Sequence, residues 1–295
     1  MKLRTFWPLL AAALLTACGG GGGSAVRPDP FVSFFDIAPR QTVEASAISQ
    51  TANATVDISG RVTSRILNAA DTDNSSVQLG YNAALDLIRL SISTPQSSVT
   101  WSGTAQIDCG ISPICTAEND SAAGLAINAF DVGWNYQTLG FWIVETGLTT
   151  GVVGVISMGN PTPAGATPPP GTASYTGMTS GLYVDTAGIV YGYSSGMSAM
   201  ADFGAGSVGF STSGTLIVSS ETFVSTPAPT LDLSGTLAIP VGANAFSGSV
   251  SNTAGMTGTA TGRFYGPLYE EIGGVFGLTG TGATQSLIGA FGGKR

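Results

Sequence analysis

The chain has 295 residues, and only 9% of them are charged, against about 25% in an average globular protein. A net charge of −8 with ten Lys and Arg in total excludes the basic surface that a nucleic-acid-binding protein needs. The absence of histidine removes Ser-His-Asp and Cys-His catalysis and the commonest metal ligand. Glycine, at 42 residues, accompanies many β-branched residues and favours strands and tight turns, so the composition predicts an all-β protein.

The N-terminus has the pattern of an export signal. Lys2 and Arg4 precede an apolar stretch that is too short to span a membrane, and residues 15–18 (LTAC) resemble the bacterial lipobox. The resemblance implies cleavage before Cys18 and lipidation of this cysteine, and the alternative is an ordinary signal peptide with a coincidental cysteine. Removing residues 1–17 takes away two cations and no acid, so the net charge falls from −8 to about −10.

A run of five glycines follows Cys18 directly and predicts a flexible tether, because glycine has no side chain to pack. Several acyl chains on one cysteine anchor a protein stably, so the predicted partner of this end is a membrane. The residue after Cys18 is not the aspartate of an inner-membrane retention signal. The predicted location is therefore the outer membrane, with the folded part above its surface.

The segment 31–160 is rich in predicted strands. Cys109 and Cys115 enclose a glycine and a proline, and in an oxidising compartment this spacing predicts a local disulfide. Residues 77–92 predict a hairpin, although 83–88 also fit a short helix. Residues 132–144 predict a strand pair that carries aromatic side chains, which either pack in a core or contact a partner. The candidates for that contact are Trp134, Tyr136 and Trp142.

Five prolines in residues 159–171 exclude a central strand and predict an extended linker, placed at 161–170. The C-terminal part, 171–295, contains about eight short strands separated by turn signals, among them a hairpin around residues 204–206. Eight strands in ~125 residues are typical of a small up-and-down barrel. The predicted fold is therefore a β-rich N-terminal domain followed by an eight-stranded antiparallel barrel.

The stretch 262–274 (GRFYGPLYEEIGG) resembles a signature in the last barrel of transferrin-binding protein B-like surface lipoproteins. The residues that carry this resemblance are Phe264, Tyr265, Gly266, Pro267, Glu270, Glu271, Gly273, Gly274 and Phe276. The segments 171–177 and 136–142 resemble the first barrel strand and the end of the N-terminal domain in that family. The resemblance implies a handle domain over 31–160 and recognition of a ligand through loops, and the lipobox and the predicted tether over 18–30 agree with it independently.

Three hypotheses on function follow. The first is a lipid-anchored outer-membrane protein that binds an unknown protein or small molecule through loops on a rigid β-scaffold. The second is a structural or assembly component of the envelope, working with an outer-membrane export or receptor partner. The third is a hydrolase that uses Glu270 and Glu271 as catalytic carboxylates. Their adjacent positions argue against it, because neighbouring side chains on a strand point to opposite faces and could not easily share one substrate. No catalytic residue, metal site or cofactor is predicted.

Overall fold

The computed structural model describes residues 33–34, 42–163 and 165–295, and its regular structure is almost entirely β-strand. The tether and Cys18 lie outside the described residues. Ten strands form the first sheet, which we call the handle. They are β1 (Thr42–Val56), β2 (Val62–Leu67), β3 (Ser76–Tyr81), β4 (Leu87–Ser93), β5 (Ser98–Ser102), β6 (Ile107–Ile111), β7 (Ile114–Glu118), β8 (Ala122–Ile127), β9 (Gln137–Glu145) and β10 (Thr150–Gly159).

All pairings in the handle are antiparallel, and its strand order is β5-β4-β3-β1-β10-β9-β8-β7-β6. The long strand β1 pairs with β10 along one edge. Along its other edge it pairs first with β3, at residues 42–46, and then with β2, at residues 52–56. The handle therefore depends on β1, which joins its two halves.

Nine further strands form the second sheet, which we call the barrel. They are β11 (Thr172–Val184), β12 (Val190–Asp202), β13 (Ser207–Ser219), β14 (Ser225–Pro227), β15 (Leu233–Ala238), β16 (Ala245–Asn252), β17 (Thr257–Tyr265), β18 (Glu271–Thr279) and β19 (Ser286–Lys294). The short β14 pairs only with β13, beside β15, which pairs with β13 directly. Each other strand pairs with its sequence neighbour, and the first strand β11 pairs with the last strand β19. The predicted all-β fold with an eight-stranded antiparallel up-and-down barrel is confirmed.

The inside of the barrel is filled by aromatic side chains. Phe264 lies in the middle of them, with its ring centroid 5.3 Å from that of Phe246 and 5.2 Å from that of Tyr269. The rings of Phe210 and Phe291, with centroids 4.8 Å apart and planes tilted by 50°, belong to the same core. Inward positions alternate with outward ones along each strand, and in a barrel of eight strands side chains of this size fill the interior. The barrel is thus a packed core, so a ligand has to bind on its outside.

The handle packs with one face against the outside of the barrel. Strands β1, β9 and β10 lie over β11, β18 and β19. Small residues permit the close approach: a Cβ atom on Gly292 would lie 2.5 Å from Nε2 of Gln137, and one on Gly273 would lie 2.6 Å from Oγ of Ser157. Leu182 and Ile288 of the barrel join the apolar core of the handle. The outer face of the barrel therefore belongs to the core of the handle, whereas the barrel interior forms a second core.

The strands give the molecule two distinct ends. One end, which we call the tether end because β1 begins there, carries Thr42, the turn 203–206 and the corner 266–270. The opposite end, which we call the distal end, carries the turns 57–61 and 185–189 and others like them. The backbone N–H of Val62 donates to the carbonyl of Gly188 there, at 2.8 Å. A Cβ on Gly188 would lie 2.1 Å from the Val62 carbonyl oxygen, and its φ is +80°, so glycine is required for this contact.

Two local predictions for the handle have different outcomes. Residues 77–92 form the hairpin of β3 and β4. The alternative of a short helix over 83–88 is wrong, because residues 83–86 form the turn and residues 87–88 begin β4. The strand pair predicted over 132–144 is wrong in its first half. Only β9 is a strand, and residues 128–136 are turns and loop, with a φ of +68° at Gly133.

Candidate functional site

The stretch 262–274 forms the corner between β17 and β18. Strand β17 ends at Tyr265, the chain turns through Gly266 with a φ of +84°, and β18 begins at Glu271. Oε2 of Glu270 accepts a hydrogen bond from the backbone N–H of Leu268 at 2.8 Å, which closes the corner on itself. Glu270 therefore has a local role in the turn.

Glu271 points instead into the contact between barrel and handle. Its two carboxylate oxygens accept hydrogen bonds from the backbone N–H groups of Asn135 and Tyr136, at 2.5 and 3.0 Å. On the neighbouring strand, Nζ of Lys294 donates to the carbonyl oxygen of Gly133 at 2.9 Å. The last two barrel strands thus hold the handle loop 133–136, an arrangement that we call the loop clamp.

The environment of Glu271 changes its acidity. Burial raises the pKa of this carboxyl to about 7, while the hydrogen bonds from the handle loop and the nearby Lys294 oppose the rise. A raised pKa is also found in catalytic carboxyls. Here, however, both oxygens are occupied by backbone donors and the side chain is buried. The clamp leaves no room for a substrate at Glu271, and Glu270 is turned away from it.

The other residues of the signature lie in the same two places. The hydroxyl of Tyr265 and Oγ of Ser157 are 2.9 Å apart across the contact between handle and barrel. Oγ1 of Thr162 donates to the carbonyl of Gly266 at 2.7 Å. The ring of Phe276 lies inside the barrel, 6.0 Å from that of Tyr193. In the structure these residues contact the barrel core and the handle, as Gly273 does.

Cys109 and Cys115 are joined by a disulfide, as predicted. The bond crosses the hairpin of β6 and β7 at the outer edge of the handle sheet. Pairing between the two strands is irregular from Asp108 to Ile111. The disulfide therefore stabilises a hairpin whose own ladder of hydrogen bonds is interrupted.

The aromatic residues proposed as partner contacts are buried in the handle. The exposed fractions of Trp134, Tyr136 and Trp142 are 2%, 7% and 0%. Nε1 of Trp142 donates to Oγ of Ser97 at 3.1 Å. These positions agree with the alternative of core packing and leave the three rings no surface for a partner.

A different feature has the form of a binding site. A cavity of about 160 Å³ lies between handle and barrel towards the distal end, and its lining is mainly apolar. One wall comes from β1, β2, β9 and β10, and the other from β11, β12 and β19. The lining includes Ala54, Val56, Val62, Ile143 and Val153 of the handle and Leu182, Val184, Val190 and Ile288 of the barrel. We call this cavity the distal cleft.

Exposed apolar side chains stand beside the distal cleft. Leu148, which lines it, and Ile58 are both fully exposed. They lie in two adjacent turns, joined by a hydrogen bond of 2.8 Å from the N–H of Val56 to the carbonyl of Thr149. Exposed apolar side chains next to an apolar cavity are typical of a binding surface.

Charged groups surround the same end. Nε of Arg61 and Oε1 of Glu221 are 2.8 Å apart, an ion pair that links the β1–β2 turn to the barrel. Asp57 and Asp185 also lie close enough to raise the pKa of Arg61, after the larger effect of Glu221. Glu145 lines the cleft, and the guanidinium of Arg65 donates to the carbonyls of Thr284 and Gln285.

Sequence reasoning missed the distal cleft, because its lining comes from many strands spread between Ala52 and Ile288. The local signal is weak: Ile58 and Leu148 each stand alone as an apolar residue among turn-forming residues (DISG and TGLTTG). Such isolated residues are common on protein surfaces. Only the fold brings the two turns together.

Residues 167–295 match the family described as the C-lobe and N-lobe β-barrels of transferrin-binding protein B. The C-terminal part is therefore similar to the barrels of transferrin-binding protein B. Among curated proteins, none matches the chain.

Solved structures with a similar arrangement include transferrin-binding protein B of Haemophilus parasuis Hp5, as its Trp-176-Ala mutant, at 12% identity and a TM-score of 0.46, over 88% of this chain and 78% of that one. The isotype 1 transferrin-binding protein B of serogroup B Neisseria meningitidis matches at 14% identity and a TM-score of 0.48, over 84% of this chain and 43% of that one. Intact Ap-TbpB, with N and C lobes, matches at 18% identity and a TM-score of 0.45, over 83% of this chain and 52% of that one. The chain thus spans about half the length of the last two proteins.

Two observations concern membranes and metals. Within the residues that the structure describes, no helix is long and apolar enough to cross a membrane. In the same residues, no three His, Cys, Asp or Glu side chains gather as they would around a metal ion.

Proposed function

We propose that this chain is a lipid-anchored protein of the outer-membrane surface that binds a protein ligand with its distal end. The observation that carries the proposal is the pair of fully exposed apolar side chains, Ile58 and Leu148, beside an apolar cleft. The similarity of the barrel to a family of surface binding proteins supports it.

The anchor and the proposed binding end fit together sterically. Lipidation at Cys18 would attach the membrane through the chain that leads into β1 at the tether end, whereas Ile58 and Leu148 lie at the opposite end. The fifteen residues from Cys18 to Ser33 span at most about 50 Å when fully extended. The distal end would therefore be available to molecules outside the cell.

The contribution of the two exposed side chains to binding would be substantial. Complete burial of an Ile or Leu side chain stabilises a complex by about 1.5–3 kcal/mol each. Large apolar side chains that enter a dry contact are typical centres of binding energy. Replacing both Ile58 and Leu148 by serine should therefore weaken ligand binding more than 100-fold, on the order of 3 kcal/mol or more.

Localisation is tested in cells. Radioactive palmitate should label the wild-type protein and not the Cys18→Ser variant. Protease added to intact cells should degrade the labelled protein. Labelled protein that survives until the outer membrane is broken would face the periplasm, and it would favour the alternative of an envelope assembly component.

Binding is tested by site-specific crosslinking on intact cells. A photoreactive amino acid at Leu148 should capture a protein from culture medium or host serum. The matched control is Ile111, which is also exposed but lies on the disulfide hairpin of the handle. Equal capture from both positions, or from neither, would contradict a ligand site at the distal end. Transferrin, named in the similar structures, is the first purified protein to test.

A further inference from the structure

We propose that the distal cleft is a pocket for one aromatic side chain of the partner, and that basic residues flank this side chain in the partner's sequence. The inference rests on the proposed function and adds the chemistry of the ligand. It follows from three properties of the cleft: its size, its lining and the charges at its rim.

The size of the cleft matches a single ring. A cavity of about 160 Å³ is close to the ~150 Å³ apolar cavities that bind benzene in proteins. The lining around Val153, Leu182 and Ile288 offers hydrocarbon on both walls. A phenyl ring therefore fits, whereas a folded domain or a second β-strand does not.

The walls of the cleft are held at a fixed separation. The hydrogen bond from Val62 to Gly188 and the ion pair of Arg61 with Glu221 tie the β1–β2 turn to the barrel. The guanidinium of Arg65 ties β2 to the carbonyl of Thr284 in the turn before β19. A pocket that is formed before the ligand arrives does not require reorganisation on binding.

The rim of the cleft is acidic. Glu145 and Arg65 line the cleft itself. Three further carboxylates, Asp57, Asp185 and Glu221, lie near Arg61, whose chain neighbours Gly60 and Val62 line the cleft. Arg61 is paired with Glu221, and Arg65 donates to backbone carbonyls. The excess of negative charge favours a ligand that carries positive charge on either side of its apolar group.

The test uses the full chain and three blocked tripeptides, acetyl-Lys-Phe-Lys-amide, acetyl-Lys-Ala-Lys-amide and acetyl-Glu-Phe-Glu-amide. Burial of the ring should make the first bind roughly tenfold or more tighter than the second. The acidic rim should make it bind tighter than the third, by a factor that shrinks in 1 M salt. Equal affinities for the Phe and Ala peptides would overturn the proposal.

The position of the ring is located by methyl NMR on the wild-type protein, so that the result does not depend on a variant that folds. Binding of acetyl-Lys-Phe-Lys-amide should shift the methyl signals of Val153, Leu182 and Ile288. Shifts confined to other methyl groups would refute the assignment to the cleft.

Two variants complete the test. Ala54→Leu adds three carbon atoms to the lining and should reduce affinity for the Phe peptide at least tenfold. Ala84→Leu, in an exposed turn of the handle outside the cleft, is the matched control and should leave affinity unchanged. Glu145→Lys should narrow or invert the preference between the Lys and Glu peptides, and an unchanged preference would contradict the role of the rim.

Other occupants give distinct results. Saturation of the cleft by hexanoate or by phosphatidylglycerol vesicles, with no binding of the Phe peptide, would assign it to an acyl chain. Loss of peptide binding in a dimer that forms as concentration rises would assign it to a second copy of the chain. If the Phe peptide does not bind but a partner still crosslinks at Leu148, the aromatic pocket is rejected and the proposed function stands. If neither the peptide binds nor a partner crosslinks, both the pocket and the proposed function are rejected.

Discussion

Glu271→Gln tests the loop clamp, because it keeps the shape of the side chain and removes its titration. In the wild type the pKa is about 7, against 4.5 for an exposed glutamate. The folded protein therefore keeps a proton that the unfolded chain has already released. The free energy of unfolding should fall as pH rises from 4.5 to 7, by about 3 kcal/mol at ~1.4 kcal/mol per pKa unit, and then level off.

The Glu271→Gln variant should show no such fall in the free energy of unfolding as pH rises. Glutamine has one oxygen acceptor where the carboxylate has two, so one of the two handle N–H groups that it faces loses its acceptor, at a cost of about 1–3 kcal/mol at every pH. The wild type should thus be more stable than the variant near pH 5, and equally stable or less stable than the variant near pH 8. The test compares how the free energy of unfolding changes with pH in the wild type and in the variant. All other titrating groups are the same in both proteins, so their contributions cancel in this comparison.

Urea unfolding at four pH values between 5 and 8 measures these slopes. Trp101, Trp134 and Trp142 are buried in the handle, so tryptophan fluorescence reports the unfolding of the part that the clamp holds. Glu270→Gln is the matched control, because this side chain bonds within its own corner, and it should follow the wild type. Parallel curves for wild type and Glu271→Gln would refute the assignment of the pH dependence to the clamp.

Four other substitutions have defined outcomes. Gly266→Val places a branched side chain at a φ of +84° and should cost about 3 kcal/mol of unfolding free energy in a urea titration; a stable variant would mean that the corner relaxes. Gly292→Ala should cost about 1–3 kcal/mol through overpacking against the handle, and calorimetry with an unchanged midpoint would contradict the close approach. Phe264→Ala should cost about 3–5 kcal/mol by opening the barrel core, again measured in urea, and a smaller loss would show that the core collapses around the space. Replacing Cys109 and Cys115 together by serine should cost about 2 kcal/mol, since the bridge closes a loop of only six residues; proteolysis of the hairpin should then become faster, and an unchanged rate would argue against a stabilising role.

The barrel was largely predictable from the sequence because its signals are local. The glycine-rich turn 203–206 and the corner at Gly266 separate strands that pair with their sequence neighbours. In such a meander each hairpin signal fixes one pairing, and closure by β11 and β19 follows from the strand count.

The handle and the site were less predictable, because they depend on contacts between distant segments. Residues 132–136 have the aromatic and β-branched composition of a strand, yet their backbone groups bond to Glu271 and Lys294, more than 130 residues later. A tertiary partner thus overrides local propensity. For the same reason, no window of the sequence shows that Glu270 and Glu271 serve different parts of the molecule.

The pairing of β11 with β19 has a consequence for the way the protein is made. The first barrel strand pairs with β12 on one edge, but the strand that closes the barrel on its other edge is β19, residues 286–294. The loop clamp also needs Lys294, so closure and docking both wait for these last strands. Long-range closure of this kind is slow compared with the formation of local hairpins. An exported chain would therefore cross the inner membrane before it could fold into a shape too large for the channel. If the chain is exported as proposed, pairing of β11 with β19 would thus follow transport.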